Sequence, residues 1–328
     1  MKKAMRDTLV AALLACGVWS GGEARAQSDA YPSRPVRIVA NFAVGGAIDA
    51  VARVVGAKLA ESLGQQFVIE NRPGAGGNIG ADAVAKSKPD GYTLLCTLDT
   101  TLTVNPSLYG TLPFDPAKDL APITLAAAAP LVLLVHPALP APDFEAFVAL
   151  AKARGGTLKF ASGGSGSAGH LAGALLGQVA GFEFLHVPYK GGPQAVTDLA
   201  AGQTDFTILS FTVTAPLIKG GKVRALAVTG PQRAPAYPEL PTVAESGYPS
   251  YDVVFWIGFL APGGTPKPVL ARLHAEILRA LPQPEVRNVL ALQGFETVGN
   301  APEEFAAVIE RDRTRWTKVV RDTGARVD

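Results

Sequence analysis

The chain has 328 residues, 30 Lys+Arg against 28 Asp+Glu, 48% apolar residues and two cysteines. Without Lys2, Lys3, Arg6, Arg25, Asp7 and Glu23 of the first 26 positions, 26 basic and 26 acidic residues remain. This balance argues against a nucleic-acid or membrane-surface binder, which would carry a basic excess or basic blocks.

In chain order, export comes first. A basic start, an apolar run from Leu9 to Trp19 and the Ala24-Arg25-Ala26 site form a secretory signal peptide, residues 1–26, which predicts a periplasmic protein. The run is shorter than the roughly 20 residues a spanning helix needs. A minor alternative is a lipoprotein, because Leu13-Leu14-Ala15-Cys16 resembles a cleavage box that would place lipid on Cys16. After cleavage only Cys96 remains, inside an apolar run, where it reads as a core residue rather than a nucleophile. No internal disulfide is then available, and a chain this long can fold without one.

From Val36 onward short apolar runs alternate with stretches of helical period, which predicts an α/β protein with largely parallel sheets. Strands are expected at Val36–Ala40, Gln66–Glu70, Thr93–Leu98, Leu131–Val135, Lys159–Ala161, Phe184–Val187, Phe206–Ser210 and Arg224–Val228. Helices are expected over residues 49–63, 78–87, 143–153, 168–179 and 193–201, with further helices from Pro268. The Ala126 to Pro130 stretch and the Pro-rich segment from Pro231 to Pro249 read as passages between two lobes. Lobe 1 would hold residues 27–125 and 247–328, lobe 2 residues 126–246, with a cleft between them.

Four times a strand is followed by a Gly-rich turn and a helix: at Phe42 to Asp49, Gly74 to Asn78, Ser162 to Ser167 and Tyr189 to Gln194. Such turns expose backbone N–H groups at the positive end of a helix dipole, a site for an anion that needs no cationic side chain. In parallel α/β sheets these turns gather at the carboxyl edge of the strands. Two come from each lobe, so a carboxylate between the lobes is the expected guest. Asp49 reads first as a cap that stiffens its loop. Lys190 is compatible with solvent or with an anion, His170 with a structural role or with donation to a carboxylate, and Trp256 with the cleft or the core.

Longer motifs carry a resemblance. Tyr31-Pro32-Ser33-Arg34-Pro35, Glu70-Asn71-Arg72-Pro73-Gly74-Ala75-Gly76-Gly77-Asn78, Pro89-Asp90-Gly91-Tyr92-Thr93-Leu94 and Val187-Pro188-Tyr189-Lys190-Gly191-Gly192 follow one pattern. Ala201-Gly202-Gln203-Thr204-Asp205, Leu240-Pro241-Thr242-Val243-Ala244-Glu245-Ser246-Gly247 and Ala261-Pro262-Gly263-Gly264-Thr265-Pro266 continue it. Together they resemble the Bug-type receptors of tripartite tricarboxylate transporters over nearly the whole mature chain. The resemblance implies a type II periplasmic-binding-protein fold, no cofactor, no metal, a monomer, a small organic carboxylate as ligand and membrane permease subunits as partners. It also implies ligand contacts from Phe42, Gly45, Gly46, Ala47, Ile48, Asp49, Thr97, Asp99, Thr101, Ser162, Ser165, Gly166, Ser167, His170, Tyr189, Gly191, Gln194 and Asp205. The chain departs from the family loop at Ala43 and Val44, where proline is common, and at Ile48, where a hydroxyl is common. These changes suggest a ligand less polar than a tricarboxylate, such as an aromatic acid near Phe42.

Other classes fit less well. Gly74-Ala75-Gly76 with Asp99 imitates a dinucleotide fingerprint, but the third glycine sits one position late and Pro73 interrupts the turn. Ser167 stands where a nucleophile elbow around Ser165 requires glycine, and four scattered histidines give no metal spacing. A binding protein that reports to a sensor kinase would share the same lobes and closure.

Overall fold

The computed structural model of the chain describes residues 31–323. The expected signal peptide and Cys16 lie outside the described residues. The chain begins with β1 (Val36–Ala40), α1 (Ala47–Leu63), β2 (Phe67–Asn71), α2 (Asn78–Ala85) and β3 (Thr93–Leu98). In α1 the buried residues Ile48, Val51, Ala52, Val55, Gly56 and Leu59 recur every three or four positions and make one stripe against the sheet. Gly56 allows that approach, since a Cβ there would lie 3.1 Å from Ile69 Cδ1. The helix stops at Gly64, whose left-handed backbone returns its N–H to Ala60 O at 3.0 Å.

Two short helices, α3 (Asp99–Thr103) and α4 (Asn105–Leu108), lead to β4 (Leu120–Val135). The second lobe follows as α5 (Phe144–Ala153), β5 (Lys159–Ser162), α6 (Ala168–Ala180), β6 (Leu185–Pro188), α7 (Gly192–Ala200), β7 (Phe206–Ser210), α8 (Phe211–Lys219) and β8 (Arg224–Val228). The chain then returns through β9 (Val254–Pro262), α9 (Lys267–Ala280), α10 (Pro284–Leu292), β10 (Glu296–Thr297) and α11 (Pro302–Thr323).

The strand order is β2-β1-β3-β9-β4-β7-β5-β6, with β8 and β10 also on β4. Strands β1, β2 and β3 are mutually parallel, as are β5, β6 and β7, matching the strands expected from the sequence. The long strands β4 and β9 run antiparallel to their neighbours, so each sheet is mixed. Only the end of β4 was expected as a strand. Its earlier part, Leu120–Pro130, pairs with β9, so the change of partner falls at Pro130–Leu131, beyond the division read at 125/126. Two prolines and four consecutive alanines hid this stretch. Pro122 is tolerated because the register shifts beside it, at a bulge.

Strand direction places the cleft. β4 runs parallel to β1 and β3 through the first sheet, and β7, β5 and β6 run against it in the second. The carboxyl ends of both parallel sets therefore point at each other. Through β9, Leu98 at the end of β3 is level with Ala127, and Ser210 at the end of β7 is level with Leu131. Four residues of strand separate these levels, about 13 Å at ~3.3 Å per residue.

Each lobe buries apolar side chains on both faces of its sheet. In the first, Ile38, Val55, Leu59 and Phe259 fill one side and Val39, Leu95, Trp256 and Phe305 the other. The neighbours Ile38 and Val39 point to opposite faces, as strand geometry requires. In the second, Phe147, Phe160 and Phe206 oppose Val132, Val196 and Leu209. Helix α11 joins the two: Phe305 packs in the first lobe, while Trp316, Val319 and Val320 enter the core of the second. Trp256 is a core residue, fully buried, with Nε1 donating to Asp312 Oδ2 at 2.9 Å. Cys96 is likewise in the core, where burial pushes its thiol up, well beyond the range in which it would act as a nucleophile.

Candidate functional site

The first wall of the cleft is the turn from Phe42 to Asp49. Gly45 N donates to Asp49 Oδ2 at 3.0 Å and Gly46 N to Ala43 O at 3.4 Å, so both N–H groups serve the turn itself. Asp49 also pairs with Arg53 at 2.8 Å. Burial pushes the Asp49 carboxyl up, but its bonds to Arg53, Gly45 N–H and Asn71 outweigh this and hold it below the ordinary carboxylate range. Asp49 thus caps and locks the loop. The N–H groups of Ala47, Ile48 and Asp49, at the start of a 17-residue helix, make no hydrogen bond among the described residues. Of the expected positions Gly45 to Asp49, these three are the ones with free donors, while Gly45 and Gly46 are engaged in the turn. The Ile48 side chain is buried in the lobe core and adds no apolar surface to the cleft, which corrects its expected side-chain contact. Phe42 is partly exposed and Val44 largely so.

Behind this turn lies a polar knot that sequence reasoning missed. Asn41, fully buried, directs Nδ2 at Thr97 Oγ1 (2.8 Å), Gly77 O (3.1 Å) and Thr101 Oγ1 (3.2 Å). Asn105 Nδ2 donates to Gly76 O at 2.9 Å and to Asn78 Oδ1 at 2.8 Å. Thr97 and Thr101 are therefore occupied in bracing the end of β1 against β3 and α3. The Gly74 to Asn78 turn is plugged by the same groups: a Cβ on Gly77 would lie 2.5 Å from Asn41 Nδ2, and one on Gly76 would lie 2.9 Å from Tyr109 Oη. That turn is filled by the protein itself, and it holds neither a dinucleotide nor the expected anion site. The sign available in the sequence was an asparagine directly after a buried strand, where the chain must satisfy polar atoms inside the fold.

The second wall is the Ser162 to Ser167 turn before α6. Ser162 is buried, and its Oγ accepts from Gly164 N at 3.1 Å and meets His186 Nε2 at 2.6 Å. Gly166 N donates to His170 Nδ1 at 3.0 Å, and Ser167 Oγ accepts from His170 N at 3.3 Å as the helix cap. The N–H groups of Ser165, Ala168 and Gly169 have no partner among the described residues, and Ser165 is exposed. Ser162 and His186 are spaced like a nucleophile and its base, but Ser162 has no exposure and serves the turn. His170 and His186 stack with ring centroids 3.9 Å apart and planes 2° apart. Burial, and then the neighbouring His186, push His170 down to about 4, and burial lowers His186 as well.

The third turn, Tyr189 to Gln194, packs on the second: Tyr189 N donates to Ser162 O at 3.0 Å, and a Cβ on Gly163 would be 3.3 Å from Gly192 N. Burial and the Asp198 carboxylate raise the Tyr189 hydroxyl. Gln194 and Lys190 are exposed, and the N–H groups of Gly191, Gly192 and Gln194, at the start of α7, have no partner among the described residues. Across the cleft this side reaches the first lobe, where a Cβ on Gly166 would touch Leu108 at 2.9 Å. Two expected residues do not join the site. Asp205 lies at the other end of β7, where its Oδ2 accepts from Lys159 N at 2.7 Å, so the length of the strand separates it from the turns. Asp99 stands at the right edge but is fully buried. Burial and the Asp312 charge raise its carboxyl far above the usual range, and it does not reach a ligand as an anion.

The arrangement offers helix N-termini from both lobes to one cleft, an apolar edge at Phe42 and Val44, and no assembled acid, base and nucleophile among the described residues. This is the anatomy of a solute-binding protein with the periplasmic-binding-protein fold. Residues 51–325 match the model of the tripartite tricarboxylate transporter family receptor, TctC, and the chain belongs to that family. It is 44% identical over 293 residues to the protein of the tcbD-tcbE intergenic region of Pseudomonas sp. strain P51, covering 89% of this chain and 87% of the relative. It is 38% identical to BugT of Bordetella pertussis, covering 94% and 95%. Among solved structures, Rpa4515 of R. palustris with adipate is 36% identical with a TM-score of 0.74, covering 90% of this chain and all of that one. MatC of Rhodopseudomonas palustris, with bound malate, is 34% identical with a TM-score of 0.70, covering 88% and 100%. No helix among the described residues is long and apolar enough to cross a membrane.

Proposed function

We propose that the protein captures a small organic carboxylate, a di- or tricarboxylate or an aromatic acid, in the periplasm and delivers it as a monomer to the membrane subunits of a tripartite tricarboxylate transporter. One observation carries this reading: the N–H groups that start α1 and α6 have no partner among the described residues, and these helices follow two sets of strands whose carboxyl ends point at each other. A carboxylate satisfies donors on both sides at once, so binding and lobe closure favour each other. Phe42 and Val44 add apolar surface at the first wall. The ligands in the two related structures, adipate and malate, are of the same chemical class.

The test is a thermal-shift screen of the mature protein, stripped of co-purified ligand, against mono-, di- and tricarboxylates and aromatic acids. A ligand at 100 times its Kd adds about 2.7 kcal/mol of stability, and a saturable shift with one class of acid is the expected result. Silence across the whole panel would overturn the reading.

A further inference from the structure

The stacked pair His170 and His186 touches both ends of the second-lobe turn. His186 Nε2 meets Ser162 Oγ at 2.6 Å, and His170 Nδ1 accepts from Gly166 N at 3.0 Å. The residues between them include Ser165, whose N–H points to no protein acceptor. The backbones that carry the rings are held in place. His186 lies on β6 beside Phe160, at 5.9 Å between centroids. Helix α6, which carries His170, is pressed onto the sheet at two glycines: a Cβ on Gly169 would be 2.2 Å from Ile208 O and one on Gly173 would be 2.4 Å from Phe160 Cζ.

We propose that His170 and His186 are positioning residues, a neutral imidazole stack that clamps the Ser162–Gly166 turn in the shape that presents its N–H groups to the ligand carboxylate, so that capture is lost on acidification. This inference rests on the proposed ligand reading for its binding arm alone. The argument turns on one nitrogen. Nδ1 of His170 accepts from an amide, so it must be unprotonated and the ring proton must sit on Nε2. A protonated His170 would set an N–H against the Gly166 N–H and break the clamp. His186 is less exposed to this conflict, because Ser162 Oγ can turn its own proton to Gly164 O, 3.1 Å away, and accept from the imidazole. Two charged rings at 3.9 Å would also repel each other. The charged groups that line the cavity beside the stack are Lys152 on α5, Glu183 before β6 and Asp322 on α11. Asp322 is itself engaged by Lys318 at 2.7 Å and by Gln178 at 3.3 Å.

Two experiments test the clamp. The first needs no ligand: imidazole ¹⁵N spectra of the ligand-free protein are expected to show His170 as the Nε2–H tautomer, still neutral at pH 5.5. A His170 that carries its proton on Nδ1, or that titrates near 6.5, overturns the proposal. The second measures the Kd of adipate by calorimetry between pH 7.5 and pH 4 for wild type, His170→Asn and His170→Phe, each checked for a native thermal transition. Asn keeps an acceptor for Gly166 but does not titrate, so it is expected to restore at pH 7.5 most of the binding that Phe loses, and to hold that affinity at pH 4, where wild type is expected to weaken by about twofold. Phe removes the acceptor and is expected to weaken binding about tenfold at pH 7.5. The ratio between variants cancels the titration of adipate itself. Equal affinity of all three chains at both pH values would overturn the clamp. If adipate binds none of them, the ligand reading fails for that acid while the tautomer still decides the clamp.

Discussion

The two walls of the cleft solve one problem by different chemistry. In the first lobe the Phe42 to Asp49 turn is locked by charge: a carboxylate reaches back to an amide and forward to Arg53. In the second lobe the Ser162 to Ser167 turn is locked by neutral groups, a hydroxyl and two imidazoles packed beneath it. A charged lock tolerates solvent at its edge, and Arg53 is half exposed. A neutral lock requires a tight seat, which the crowded face of α6 supplies. The difference teaches that similar glycine-rich turns can depend on their surroundings in opposite ways.

The seat should break first. Gly169→Ala drives a methyl group against Ile208 O, where a Cβ would be 2.2 Å away, and is expected to destabilise by about 2–4 kcal/mol in denaturant unfolding. The counterpart Gly46→Ala meets only Ala43 O at 3.5 Å and should cost less than about 1 kcal/mol. Equal costs would mean that the second lobe is not the more tightly seated.

Acidification comes next and separates the two locks along the pH axis. The folded His170 sits at about 4, below the ordinary 6.5, so the unfolded chain binds more protons between these values. Its contribution is fully present above pH 6.5 and is lost as pH falls through 4, by up to ~3 kcal/mol. Asp49 is also depressed, so its contribution is present above its unfolded value and is lost only as pH falls below the ordinary carboxylate range. Denaturant midpoints measured from pH 7.5 to 3 should therefore decline in two stages, and His170→Asn should shrink the upper one to the part that His186, also lowered by burial, contributes.

Asp49→Ala is expected to cost about 1–2 kcal/mol, because it frees one amide and a half-exposed arginine. That variant should keep the upper pH stage and flatten the lower one, to which Glu70 also contributes.

The turns were legible because glycine before a helix marks a backbone conformation, which is local. Which amides a turn leaves free is not local. Gly45 and Gly46 are engaged by Asp49 and Ala43, and Gly166 by His170, so among the expected turn positions the open donors are those of Ala47, Ile48, Ser165 and their neighbours. Asn41 and His186 carry no spacing signal, because their partners lie on other strands. Strand β9 was missed for a related reason. It lies between β3 and β4, buried on both faces, so it shows no alternation, and Gly258 interrupts its apolar run to admit the Phe305 ring. Asp205 was misplaced because a family motif gives a position in sequence without saying which end of a strand it occupies.

The shared strand β4 bears on how the molecule comes apart. Neither sheet is complete without it, since one takes residues 120–130 as an inner strand and the other takes 131–135. Unfolding either half pulls a central strand from under the other, and Trp316 at the far end of α11 is withdrawn at the same time. The two lobes are therefore expected to melt as a single cooperative unit, with one denaturant transition seen by every probe.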